Sequence, residues 1–425
     1  MSARTVSAAW LICAAVAVLP AAPRPAARRP FDRTVLGASL FRAAWAYRHD
    51  RAWLESQLDY LSLHGFDAIR AFGVVGDPSR PDYWDGREID WKWEDYDSVV
   101  AGLTDLAYDE YGIRVQWTIF AGGRFPAAAD RAGVVDRFIR MSRGREQKIL
   151  AFEIANEHLQ NGFDGPEGLE QVRRFARTVR AATSVPVAAS AHRPELCPLY
   201  AAGDVDFATV HFDREAPHAR WSPLLEPWQS ARRKGHLSSC DLPEVASNNE
   251  PSGPGASVKS TSDPLSIVMA AVNTYLAGIP IYMFHSGPGV RDDPAHDQGL
   301  RPSGLEELPG ADALFAGLAE MRRYLPGDVF EWTPMPANEP GFPFDVEGPV
   351  AVMLGARRGA AFIVALSGIE SEVTLVARRS ASVRALDPLT GKAFDQQTLR
   401  RGERWPLHAV AAVVLASTPA SATVQ

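Results

Sequence analysis

From Val35 to about Leu325 one arrangement of apolar and polar positions repeats along the chain: a short apolar run, a polar loop, then a segment whose apolar residues recur at helical spacing. Leu54, Leu58 and Leu61 stand at i, i+4 and i+7, and the helix they predict stops at Gly65, ahead of a strand from Phe66 to Phe72. Tyr96, Val99, Val100, Leu103 and Leu106 mark the next helix, closed by Gly112 before the strand Ile113 to Phe120. A helix around Val134 to Met141 leads to the strand Ile149 to Ala155, and Val172, Phe175 and Val179 lead to Pro186 to Ser190. Phe207 to His211 and Leu242 to Ser247 read as the sixth and seventh strands. Asp263 caps and Pro264 opens a helix that buries Leu265, Val268, Met269, Val272 and Leu276 before the eighth strand, Ile279 to Phe284. Leu314, Leu318, Met321 and Leu325 supply an eighth helix. With Val35 to Phe41 counted first, the strands number eight, which closes a (β/α)8 TIM barrel, placed over residues 34–330.

Beyond Pro326 the helical spacing stops. Strand-like runs follow at Val350 to Leu354, Ala361 to Leu366, Val373 to Val376, Val383 to Leu386 and Ala409 to Leu415. They predict a small C-terminal antiparallel β-sandwich-like domain over 345–418, joined to the barrel through the proline-rich stretch Pro334 to Pro343.

Composition adds three things. A chain of 425 residues, 46% of them hydrophobic, can bury a core of barrel size with a smaller partner domain. At the start, Arg4 precedes an apolar run from Val6 to Leu19 and then small residues and prolines, so residues 1–27 read as a secretory signal peptide and flexible leader. The expected location is secreted or periplasmic. An uncleaved anchor is the alternative, for which the run is short, and no later stretch suits a membrane span. The net charge of −7 argues against nucleic acid as a partner. Cys197 and Cys240 remain outside the leader as one candidate disulfide, although they stand in different βα units.

In such a barrel the reactive groups project from the C-terminal ends of the strands. Arg70 lies in the second strand, and Asn156, Glu157 and His158 end the fourth. His192 follows the fifth, His211 ends the sixth, Asn248, Asn249 and Glu250 follow the seventh, and His285 ends the eighth. Glu157 and Glu250 therefore stand three strands apart on one rim. Cleavage of a glycosidic bond needs such a pair, because the leaving oxygen must be protonated while the oxocarbenium-like carbon needs an anion opposite.

The run Ile149 Leu150 Ala151 Phe152 Glu153 Ile154 Ala155 Asn156 Glu157 resembles the fourth-strand signature of the clan A glycoside hydrolases, which include the family 5 cellulases and mannanases. Gly65 Phe66 Asp67 Ala68 Ile69 Arg70 resembles their second-strand motif, and Leu386 Asp387 Pro388 Leu389 Thr390 Gly391 is similar to a turn in β domains appended to such barrels. The resemblance implies a retaining O-glycosyl hydrolase acting on a β-linked oligo- or polysaccharide, with Glu157 as acid/base and Glu250 as nucleophile. It further implies that Asn156 binds the sugar 2-hydroxyl, that Arg70 supports the nucleophile, and that His211 lies near the nucleophile. Pro243 stands seven positions before Glu250 and Pro251 follows it, a departure from the clan's seventh strand. Glu244 is set aside because it falls at the start of that strand. The eighth strand ends in Phe284 His285 where many relatives place a tryptophan, which leaves His285 as a substrate contact and Trp45, Trp117 or Trp221 as substitute sugar-facing rings.

Tyr83, Trp84, Trp91, Trp93 and Tyr96 crowd the loop before the second barrel helix. They suit either a glycan subsite, with Trp84 as platform, or the packing of a long loop. No pair of histidines has the local spacing of metal ligands, so neither metal nor cofactor is expected. The same cleft also suits a non-hydrolytic carbohydrate-binding barrel, or a transglycosylase using the same residues.

Overall fold

The computed structural model describes residues 31–76, 86–122, 126–159, 161–191, 199, 203–212, 220–231, 246–249, 251, 263–287, 304–337 and 339–418. Strands β1 (Val35–Ser39), β2 (Ala68–Val74), β3 (Arg114–Phe120), β4 (Ile149–Ala155), β5 (Val187–Ala191), β6 (Phe207–Val210), β7 (Ala246–Asn248) and β8 (Ile281–Phe284) pair in sequence order, and β8 returns to β1 to close the barrel. Every pairing is parallel, which explains the continuous apolar runs: both strand faces are covered, and β2 and β4 are buried along their whole length.

Around them run α1 (Ala43–His49), α2 (Arg51–Leu63), α3 (Tyr96–Asp109), α4 (Arg131–Ser142), α5 (Gly165–Ala182), α6 (Glu226–Ala231), α7 (Pro264–Leu276) and α8 (Ala311–Tyr324). Gly65, just past α2, takes φ 72°, the left-handed turn that lets the chain reverse into β2. Asp263 accepts from the Leu265 N–H and Pro264 sits in the first turn of α7, as the sequence predicts. That helix is buried on every side from Ser266 to Leu276, because the barrel wall lies on one face and the second domain on another. Among the described residues no helix is long and apolar enough to cross a membrane.

The second domain holds β9 (Thr333–Pro336), β10 (Phe344–Glu347), β11 (Val350–Arg358), β12 (Ala361–Ile369), β13 (Val373–Ala377), β14 (Ala381–Leu386), β15 (Ala393–Leu399), β16 (Arg404–Leu407) and β17 (Ala411–Ser417). One sheet runs β15-β14-β17-β12-β11-β9 and the other β10-β13-β16, all antiparallel. Side chains alternate along β12. Phe362, Val364 and Leu366 face the smaller sheet with Phe344, Leu375 and Trp405, while Ile363 and Ala365 join the barrel's apolar cluster with Val352, Leu354 and Val413. The proline-rich stretch expected to join the domains also contributes β9, which begins at Thr333. The prolines Pro334 and Pro336 cannot donate to a ladder, and β9 accordingly sits at the sheet's edge.

The turn Asp387 to Gly391 seats this domain on α8. The Asp387 carboxylate accepts from the Leu389 and Thr390 N–H groups at 3.0 and 2.9 Å, and the Tyr324 hydroxyl donates to the Pro388 carbonyl at 3.2 Å. Gly317 of α8 has no room for a side chain there: a Cβ would stand 3.0 Å from the Leu389 side chain and 2.9 Å from that of Val268. Nearby, Arg358 of β11 is hydrogen-bonded to Asp328, which holds that carboxyl below its ordinary range. A depressed carboxyl stabilises the fold above its unfolded value, near 3.8, and the contribution is lost as pH falls through the lower folded value. Asp328→Asn should thus lower the melting temperature slightly at neutral pH, by less than ~1 kcal/mol for so exposed a pair, and the difference from the parent should vanish in acid below the ordinary carboxylate range. A gap that persists there would assign Asp328 a packing role instead.

Candidate active site

Register brings a polar layer together inside an otherwise apolar barrel. Arg70 of β2 lies beside Gln116 of β3, and Thr118 of β3 beside Glu153 of β4. Both Arg70 and Glu153 are fully buried, where an unpaired charge would be very costly. They meet in a two-pronged pair, Nε to Oε2 and Nη2 to Oε1, each 3.0 Å. Thr118 Oγ1 and Gln116 Nε2 donate to the same carboxylate at 2.8 and 3.1 Å. Arg70 Nη2 also donates to Asn156 Oδ1 at 2.8 Å. Just past β7, Asn249 enters this layer, its amide oxygen assigned toward the guanidinium, 2.9 Å from Nε and 3.2 Å from Nη2, because a guanidinium only donates. The neighbouring Asn248 points the other way and donates to Thr274 of α7 at 3.0 Å.

Glu157 leaves the end of β4 with φ 39°, and among the described residues it alone is a non-glycine with positive φ. Such a conformation costs on the order of 1–3 kcal/mol and persists where its surroundings impose it. Here Asn161 clamps the turn, its amide donating to the carbonyls of Asn156 and Glu157, while the N–H groups of Asn161 and Phe163 both reach the His158 carbonyl at 3.2 and 3.0 Å. The turn directs the Glu157 carboxyl to His211, with Oε1 2.8 Å from Nδ1. On its far side, His211 Nε2 lies 2.8 Å from Ser190 Oγ of β5.

Arg70, Asn156, Glu157 and His211 thus gather at one rim. His211 stands on Glu157 itself, because β6 lies two strands from β4 with only Ser190 of β5 between. Among the described residues Arg70 meets Glu153, Thr118, Asn156 and Asn249. His285, expected to touch substrate, is enclosed in the wall with no exposed surface, its Nδ1 3.3 Å from Ser39 Oγ and its ring against Phe41.

Of the substitute rings, Trp117 is fully buried and donates to Thr104 at 3.0 Å, so it offers no sugar-binding face, and the half-buried Trp221 packs over Gly368 of the second domain. Trp45 is half-buried and stacked on His49, whose ring meets Trp93 edge-on. Tyr96 belongs to the core, its hydroxyl donating to the Gly73 carbonyl at 2.8 Å. Glu250, Trp84, His192, Cys197, Cys240 and the leader lie outside the described residues.

The residues not anticipated are Gln116, Thr118, Glu153, Asn161 and Ser190. Arg70 and Glu153 did carry a signal: each is a lone charge within an apolar strand, and two such opposite charges in one core must meet. Ser190 carried none.

No family model matches the sequence, and neither does any curated protein. Among solved structures, a glycoside hydrolase family 5 protein from Bacteroides vulgatus is 11% identical, with 92% of this chain and 90% of that chain covered at a TM-score of 0.61. A structure described as a glycoside hydrolase is 11% identical over 90% of this chain and 92% of that one, TM-score 0.60. GH5_18 from Bifidobacterium longum is 14% identical over 69% and 80%, TM-score 0.50. At such identities the likeness establishes the fold alone: a (β/α)8 barrel which, in the first two, is matched along nearly the whole chain.

Proposed function

We propose that this protein is a secreted glycoside hydrolase that cleaves β-linked glycans with retention, Glu157 serving as acid/base and Glu250 as nucleophile. The observation that carries the reading is Glu157 itself, forced into a left-handed turn at the end of β4 and held by His211, beside an Asn156 whose oxygen is occupied by Arg70. Strain of this kind at the rim of a barrel is where reacting groups are found. With Oδ1 taken by the guanidinium, Asn156 presents Nδ2 as the donor to a sugar hydroxyl. In the first step Glu157 gives its proton to the leaving oxygen as Glu250 attacks the anomeric carbon; in the second, Glu157 takes a proton from the water that frees the sugar. The leader at residues 1–27 would direct export.

A second reading, a glycan-binding barrel without turnover, is favoured by Asn249. The side chain that β7 sends to Arg70 is an amide, which cannot form the glycosyl intermediate. A 2-deoxy-2-fluoro-glycosyl inactivator separates the two. The expected result is loss of activity with one glycosyl adduct on the peptide containing Glu250. An adduct elsewhere removes the nucleophile assignment, and glycan binding without turnover across a broad polysaccharide panel establishes the second reading.

A further inference from the structure

The left-handed turn that carries Glu157 is held from outside its loop as well as from within. Within it, Asn161 donates to the Asn156 and Glu157 carbonyls, and the Phe163 N–H reaches the His158 carbonyl at 3.0 Å. Outside it stands Arg131, the first residue of α4 and only 4% exposed. Its Nη1 donates to the Gly162 carbonyl at 2.9 Å and to Gln171 Oε1 of α5 at 2.8 Å, and its Nε donates to the Pro126 carbonyl at 3.2 Å. The guanidinium also lies over the Phe163 ring, 4.1 Å from its centroid. One side chain thus ties the loop after β3 and the helix α5 to the two residues that follow Asn161. Phe163 is fixed on its other sides too. Its ring meets Phe120 of β3 at 5.5 Å, and α5 lies against its backbone at Gly168, where a Cβ would stand 2.1 Å from the Phe163 carbonyl carbon.

We infer that Arg131 is a positioning residue for the acid/base: it clamps the far end of the β4–α5 loop and so holds Glu157 in the left-handed conformation that aims its carboxyl into the cleft. The inference rests on the glycosidase reading above and deepens it. The acceptors of Arg131 are all neutral, two carbonyls and an amide oxygen, and among the described residues no carboxylate forms an ion pair with it. Burial accordingly pushes its guanidinium below the ordinary value. Enclosing a cation without an anion opposes folding, so packing alone would be better served by an apolar chain. What the guanidinium adds is direction, because its donors form a rigid planar fork that sets the angle between the groups it joins. The stretch it holds is bent at both ends, Glu157 at φ 39° and Gly162 at φ 83°. The glycine takes such a conformation freely, whereas Glu157 keeps it only under constraint. With the Gly162 carbonyl and the Phe163 ring released, Asn161 loses its footing, the Glu157 φ relaxes to the negative region, and the carboxyl swings out of its place 2.8 Å from His211. A displaced acid slows the step that transfers a proton and leaves the others nearly untouched.

The test uses the whole protein and a series of aryl β-glycosides of graded leaving-group acidity. Glu157→Gln is the control, and it must lose most activity on poor leaving groups. Arg131→Met should show the same pattern more weakly: kcat/KM falls roughly tenfold for poor leaving groups, a part of the ~10²–10⁴ a general acid supplies, and about twofold or less for the dinitrophenyl glycoside, which needs no proton. Arg131→Lys keeps the charge and loses the fork, so it should show the same selective loss; parent-like rates in that variant would assign the effect to charge and overturn the clamp. Gly168→Ala, which pushes on Phe163 from the side of α5, should reproduce the pattern, and it carries the test if neither Arg131 variant folds. Independently of activity, a crystal structure of Arg131→Met, or of Gly168→Ala in its stead, should show residue 157 with a negative φ. Losses that are uniform across the series, or a Glu157 that keeps its positive φ in the variant, overturn the assignment. If Glu157→Gln itself lacks leaving-group dependence, the glycosidase reading falls, and the crystal structure still decides whether Arg131 holds the turn.

Discussion

Glu157→Gln should yield a folded protein whose kcat/KM on unactivated β-glycosides is lower by about 10² to 10⁴, with KM nearly unchanged. The amide matches the carboxyl in shape and can meet either tautomer of His211, through its oxygen or its NH2, so the 2.8 Å contact and the strained turn are kept. Only the proton is missing. A substrate whose aglycone leaves without protonation should form the intermediate at close to the parent rate and then stall, because no base activates the water. In Glu157→Ala, added azide needs no base and should release the stalled enzyme, giving a glycosyl azide of β configuration if two inversions occur. Loss of less than tenfold on poor leaving groups, or an azide product of inverted configuration, would remove Glu157 from its role or retention from the mechanism.

How far the sequence spoke can be judged residue by residue. Apolar spacing was sufficient for the barrel because parallel strands covered on both faces are uninterrupted runs, and because helix ends such as Asp263-Pro264 and Gly65 carry local signals. β9 escaped because Pro334 and Pro336 read as a linker, although an edge strand tolerates them. β10, β15 and β16 are short or exposed, and the packing that fixes them lies on other strands. In the site, positions at strand ends were legible; partners were not. Which atoms meet depends on register, and one residue of shift exchanges the two faces of a strand. The seventh strand shows this directly: adjacent asparagines go to opposite sides, Asn248 to α7 and Asn249 to Arg70. The same dependence hid the contact of Ser190 with His211, since register alone sets Ser190, a residue type with no spacing motif, opposite Thr209, two positions before His211.

The buried pair of Arg70 and Glu153 should give the largest stability effect in the molecule, and its pattern separates fold from function. Arg70→Met leaves Glu153 fully enclosed with only Thr118 and Gln116 as donors, and loss of one partner of a buried pair costs about 3–5 kcal/mol. Glu153→Met takes the described carboxylate from a buried guanidinium that keeps the neutral oxygens of Thr118, Asn156 and Asn249 among its partners, and should cost a similar amount. The double variant, Arg70→Met with Glu153→Met, has no charge to enclose and packs apolar chains into the same volume. It should recover most of the loss, so the urea midpoint falls far less than the sum of the two single falls at a constant slope. Additive falls would show that the two charges do not compensate one another. Activity should follow a different rule. Asn156 relies on the Arg70 Nη2 contact at 2.8 Å to hold its amide with Nδ2 toward substrate, and the double variant does not restore it. A protein restored in stability yet still impaired in turnover, with the deficit concentrated on sugars that carry a 2-hydroxyl and absent on 2-deoxy substrates, is the expected outcome; recovery of both together would mean that the polar layer serves folding alone.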